Sequence, residues 1–149
     1  MSRSFHLPNF IAMINPNELR LGNYLLQKII NKIVIIKCTP QHIDLLFKEE
    51  GKDIYPVVLK ADLLEKSGFT ENKNYPLLPD AREFILILPV IGNSENKIRA
   101  YVKNNKECFG RAMVKGLVVS NNFYHLHQLQ NLYYALTGEG LKVNDREGL

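Results

Sequence analysis

His127–Leu141 reads HQLQNLYYALTGEGL, and the spacing of its apolar residues decides the fold. Wound at about 100° per residue, Leu126, Leu129, Leu132, Tyr133 and Leu136 fall within an arc of roughly 120°, the width of a core-facing stripe. Thr137-Gly138 ends the helix, because glycine takes the left-handed conformation that a C-terminal cap needs. Each buried leucine contributes about 1.5–3 kcal/mol, so the helix is expected to dock on a sheet. The other side carries His127, Gln130, Asn131 and Tyr134 at helical spacing: a ring nitrogen, two amides and a phenol in one row. Such a row has two readings. Either it is a recognition surface for a partner, or its polar groups are satisfied by neighbouring backbone, the commoner fate.

Composition narrows the class. A chain of 149 residues reads as one domain able to bury a core without staples. With 46% hydrophobic and 23% charged residues it is globular and not disordered. No apolar run reaches the length of a membrane span. The net charge of +4 is mild and spread over both halves, so it gives only weak evidence for a nucleic-acid partner. Cys38 and Cys108 have no CxxC spacing and suggest no disulfide framework. Cys38 closes a strand-like run and reads as a buried thiol. Met1–Ile14 is broken by His6, Pro8 and Asn9 and shows no cleavage site, so it does not read as a signal peptide. A cytoplasmic protein is the simplest expectation.

Upstream of the helix, short strands and turns alternate. Pro16-Asn17 makes a turn and Gly22-Asn23 a bend. Lys32–Cys38, KIVIIKC, is a β-branched strand punctuated by Thr39-Pro40. His42–Lys48, HIDLLFK, reads as a second strand. Ile54–Val58 is a short extended piece, with Pro56 pointing to a sheet edge. Together these predict a small curved or SH3-like, barrel-type β unit. Ala61–Ser67 is a short helix with a poor cap at Lys60, a terminating Gly68 and a hydrophobic contact at Phe69. Thr70–Ala81 reads as a polar connection. Arg82–Val90, Lys97–Lys103, Phe109–Met113 and Leu117–Val119 read as an antiparallel set, with a hairpin loop at Gly92–Asn96. Asn121 or Asn122 is expected to cap the last helix, and Lys142–Leu149 to fray as a tail.

Few residues carry recognisable chemistry. In Lys97–Lys103, alternation sends Ile98, Ala100 and Val102 to one face and Lys97, Arg99, Tyr101 and Lys103 to the other. Residues 96–116 hold six basic side chains against one acid, Glu107. A cationic sheet face with an aromatic ring could track a phosphate backbone and stack a base. The commoner reading of such a face is the solvated side of an antiparallel sheet. His6, His42, His125 and His127 form no HxxxH or HExxH pattern, and the cysteines complete no zinc set. No phosphate-binding glycine loop and no GxSxG elbow occurs. The carboxylates Glu49, Glu50 and Asp53 cluster in a turn. The residues therefore indicate no catalytic set, no metal and no cofactor.

Two stretches carry a resemblance. Asn17–Tyr24, NELRLGNY, and His127–Leu141 resemble the opening "NELRIGN" and closing "HQLQNLYFALTGEEL" strings of a family of small uncharacterised proteins. These are common in Bacteroidetes genomes, often within prophages or conjugative elements. Ile54–Phe69, IYPVVLKADLLEKSGF, matches the looser middle string of that family, "IYPIPLTEEWLLKFGF". Lys60 stands where the family has a capping threonine, and Gly140 where it has an acidic residue. The resemblance implies a cytoplasmic protein of bacterial accessory genes, with no activity, cofactor or substrate attached. It also implies a start near Met13, which makes residues 1–12 an extension or a start-site artefact.

The reading is a single α+β domain over residues 1–149. Residues 13–58 form the β unit, 59–141 a helix, a β-meander and the closing helix packed on the sheet, and 142–149 a tail. The expected role is a non-catalytic binding module of a mobile element, with a protein or nucleic acid as partner and no membrane. Its candidate partner-binding residues are His127, Gln130, Asn131 and Tyr134. The candidate nucleic-acid face is Lys97, Arg99, Tyr101 and Lys103. The alternative is a small hydrolase working through His127 and a nearby carboxylate.

Overall fold

Tyr24–Ile29 (β1) and Lys32–Lys37 (β2) form an antiparallel hairpin, as the β-branched run of the second strand favours. Ile54–Pro56 (β3) pairs antiparallel with the other side of β1, giving the order β2-β1-β3. This computed structural model describes residues 14–73, 79–89 and 96–144. Within them the first unit is an open three-stranded sheet and not a closed barrel. The Lys28 N–H donates to the Asp53 carbonyl at 2.8 Å, so even-numbered residues of β1 bond toward β3 and odd-numbered ones toward β2. Pro56 lies opposite Leu25. It thus occupies a non-bonded position, where its missing N–H leaves no gap in the ladder.

The second predicted strand is a helix. Pro40–Phe47 (α1) begins at Thr39, whose hydroxyl accepts from the His42 N–H at 3.5 Å while His42 Nδ1 accepts from the Thr39 N–H at 3.0 Å. Thr39-Pro40 reads as the end of a strand, but a threonine cap followed by proline in the first turn equally starts a helix. Ile43 and Leu46 then pack inward with Leu25, Ile36, Cys38 and Ile54.

Ala61–Lys66 (α2) follows. Lys60 makes no side-chain capping bond, in line with its chemistry. At the other end Gly68 sits at φ +94°, its N–H donates to Glu65 O at 3.1 Å, and the Phe69 N–H donates to Leu64 O at 3.0 Å. These are the paired bonds of a Schellman cap, with Phe69 buried beyond the glycine.

The second sheet has five strands in chain order: Thr70–Asn72 (β4), Ala81–Ile87 (β5), Asn96–Lys103 (β6), Cys108–Val114 (β7) and Leu117–Val118 (β8), all antiparallel. β4 falls in the stretch read as a polar connection; Thr-Glu-Asn has no apolar alternation to betray it. Of the predicted hairpin loop only Asn96 is described, and it belongs to β6. The rest of that loop, Val90, Pro76, the N-terminal extension and residues 145–149 lie outside the described residues.

Residues 119–126 stitch the sheets together. Gly110 and Phe123 exchange both backbone bonds at 2.9 and 2.8 Å, the Leu59 N–H donates to Tyr124 O, and the Leu126 N–H to Val57 O. The Phe123 ring lies over Gly110 so closely that any Cβ there would collide with it. The closing helix, Leu126–Thr137 (α3), is capped by His125 and not by Asn121 or Asn122, because the chain before it is held as extended backbone. Leu126 and Leu129 are fully buried, and Leu132, Tyr133 and Leu136 pack against the same core. Gly138 ends the helix at φ +73°, its N–H donating to Tyr134 O at 2.8 Å. The tail does not fray at once: Val143 packs on the core and the Asn144 N–H donates to Lys66 O at 2.9 Å. No helix among the described residues is long and apolar enough to cross a membrane.

Candidate functional site

The polar row of α3 meets the turn that leads into β1. Asn23 is buried; its Oδ1 accepts from the Arg20 N–H at 2.7 Å and its Nδ2 donates to Asn131 Oδ1 at 3.0 Å. Asn131 Nδ2 donates in turn to the Glu18 carbonyl. Gln130 Oε1 accepts from the Tyr24 N–H at 2.9 Å. Gln130 and Asn131 thus tie α3 to residues more than a hundred positions upstream. Tyr134, one turn further on, is 43% exposed, with the Arg20 guanidinium 3.7 Å above its ring.

These contacts frame an open groove of about 680 Å³ between the β1 entrance and α3. Its polar lining includes Arg20, Tyr24, Lys37, Gln130, Asn131 and Tyr134, and among the described residues no carboxylate lines it. The Lys37 ammonium lies 5.6 Å from the centre of the Tyr24 ring, which gives the groove a second cation–aromatic pair. Gly140 is also at its wall. NELRLGNY and the closing helix therefore build one surface.

His127 lies elsewhere. It is 2% exposed, and neither ring nitrogen has a hydrogen-bond partner among the described residues. Its Nε2 stands 3.7 Å from Glu18 Oε2, and its ring stacks on His125 at 5.7 Å and 6°. Burial, with the neighbouring His125, pushes its pKa down to about 4, against the pull of Glu18. Burial lowers that of His125 as well. Both rings are held neutral at pH 7. Of the two groups the hydrolase alternative names, the His127 ring is thus enclosed, while the Glu18 carboxylate beside it is half exposed. No cluster among the described residues could hold a metal ion. Burial pushes the Cys108 thiol up to about 12 and raises that of Cys38, which keeps both protonated.

The predicted nucleic-acid face also departs from a solvated one. Tyr101 is 1% exposed and packs 5.2 Å from Phe109, so its ring has no face open to a base. Arg99 Nη1 is bonded at 3.0 Å to Glu83, itself 1% exposed. Arg111 stands directly across from Arg99 on β7. Lys97 pairs with Met113 across the same two strands. Lys103 lies at the exposed end, 3.7 Å from Glu107. Ile98 and Ala100 are buried in the main core, as the alternation predicts.

Sequence reasoning named Gln130, Asn131 and Tyr134 but missed Asn23, Arg20, Tyr24 and Lys37. The available signal was the NELRLGNY resemblance, which marked the other wall without saying that the two meet. Comparison with protein-family models, with curated proteins and with solved structures finds no match to this chain.

Proposed function

We propose that this protein is a non-catalytic binding module whose working surface is the groove between the β1 entrance and α3, and that its partner is an anionic segment of another protein. One observation carries the reading. The groove presents Arg20 and Lys37 beside the rings of Tyr134 and Tyr24, with no carboxylate among its described lining residues, while the amides behind brace the walls. Preformed cation–aromatic pairs suit a carboxylate-bearing ligand, because the cations are already positioned and lose little freedom on binding. The resemblance to mobile-element proteins of Bacteroidetes supports a cytoplasmic setting among accessory genes. Gly140, where that family has an acid, leaves this groove wall without that negative charge.

The experiment is affinity capture from the native host, with wild-type and Arg20→Glu protein and with and without nuclease. Wild-type protein should retain a nuclease-resistant protein that the variant loses. Equal retention by both, or recovery of nucleic acid alone, overturns the reading.

A nucleic-acid partner is the second reading, favoured by Arg99 and Arg111 facing each other across β6 and β7. Like charges placed directly opposite are destabilising; Glu83 already offsets the charge of Arg99, and a bound anion would do the same for Arg111. On this reading affinity falls steeply with salt, and replacing Arg99 and Lys103 weakens binding to all sequences alike.

A further inference from the structure

β2 is an edge strand. Among the described residues it pairs only with β1. Its bonding parity follows from two contacts: the Lys28 N–H donates to Asp53 O, and the Cys38 N–H donates to Asn23 O at 2.7 Å. Lys32, Val34 and Ile36 therefore turn their backbone groups inward to β1, and Ile33, Ile35 and Lys37 turn theirs away from it. The outer edge offers a row of donors and acceptors with no strand against it among the described residues.

Its side chains suit an added strand. Ile33 and Ile35 pack on the main core and Ile36 on the smaller one, and every residue from Ile33 to Ile36 is only half-buried. That is the partial cover expected where a sheet stops one strand short. Exposed lysines stand at both ends, Lys32 and Lys37, and no acidic residue lies between them. Lys37 also lines the groove.

We propose that an extended acidic peptide segment of the partner adds to β2 as a further strand, with carboxylates at its two ends facing Lys32 and Lys37. This rests on the groove reading above and gives that partner a backbone conformation. Main-chain bonds supply affinity and the end charges the register. The lysines fall on opposite faces of the sheet, so the matching carboxylates are about five residues apart. A second copy of this chain fits less well, since it would bring two more lysines to the same edge.

The test uses the full chain and a labelled peptide with the core Glu-Val-Thr-Val-Thr-Glu. Three comparison peptides carry lysine at both ends, N-methyl groups on alternate residues, or a scrambled order. The acidic peptide should bind, and backbone amide shifts should concentrate at Ile33, Ile35 and Lys37. Lys32→Glu with Lys37→Glu should weaken it at least about tenfold, a loss of about 1.4 kcal/mol or more. The same variant should gain affinity for the lysine-ended peptide. N-methylation should abolish binding, because it removes the donors of the added strand. Equal binding of the N-methylated or scrambled peptide, no binding at millimolar peptide, or a concentration-dependent dimer that the peptide cannot dissolve overturns the proposal. If shifts appear at Arg20 and Tyr134 but not along β2, strand addition fails and the groove reading survives. If host-partner capture is also indifferent to Arg20→Glu, both fail.

Discussion

Two surfaces of this protein are made from the same residue types, and only one of them is open. The outward face of β6 carries Arg99, Tyr101 and Lys103; the groove beside α3 carries Arg20, Tyr24, Lys37 and Tyr134. On β6 the tyrosine is sealed and the arginine is bonded to a buried glutamate. In the groove Tyr134 is exposed, and Arg20 stacks on it with no carboxylate in the described lining. A cation beside an aromatic ring therefore does not define a binding surface. What matters is whether those groups already hold one another inside the fold, since a buried charge needs its partner while an exposed one does not.

The sharpest way to break this comparison is to truncate the two tyrosines. Tyr101→Ala should cost about 3–5 kcal/mol in urea unfolding, the usual range for a buried aromatic. Tyr134→Ala should cost about 1 kcal/mol or less. Similar losses at both sites would erase the distinction. Leu129→Ala, under the helix that forms one groove wall, should cost about 2–5 kcal/mol, and an unchanged melting temperature would mean that α3 is not docked.

Acid should act through the sealed His127. His127 binds its proton only near pH 4 in the folded chain, against an ordinary value of 6.5. Between those values the unfolded chain takes up a proton that the folded chain refuses. Stability therefore falls as pH drops from 6.5 toward 4, by about 3 kcal/mol for this residue, and levels off below that window. His127→Phe should flatten the profile; an unaltered acid sensitivity would place its source elsewhere.

The smallest contrast is between the arginines. Arg99→Ala should lose about 1.5–3 kcal/mol by removing a charged bond to a buried carboxylate. Arg20→Ala should lose about 0.5–1 kcal/mol, the range for an exposed cation–aromatic pair. The same denaturant curves separate the two, and reversal of their order would show that the groove, not β6, is the structural cluster.

Much of the fold was legible. The leucine stripe of α3, its glycine cap, the Gly68-Phe69 cap of α2 and the strands β2, β5, β6 and β7 follow from periodicity and turn chemistry. Other elements were not. HIDLLFK suits either period over so short a run, and only the Thr39 cap makes it helical. β4 has no pattern of its own and exists because β5 offers it an edge. For the candidate site, sequence supplied α3's polar row but not what it faces.

By itself, then, the sequence determined which residues could lie together on one face of a helix or strand, because that depends on local periodicity. Tertiary structure alone decided which of those faces are enclosed. Gln130 and Asn131 became wall ties because Asn23 and Tyr24 arrive beside them, and Tyr101 became a buried residue with Phe109 and Arg111 of β7 packed against its ring. Burial is a property of the neighbours that the chain brings from far away, and no local pattern contains it.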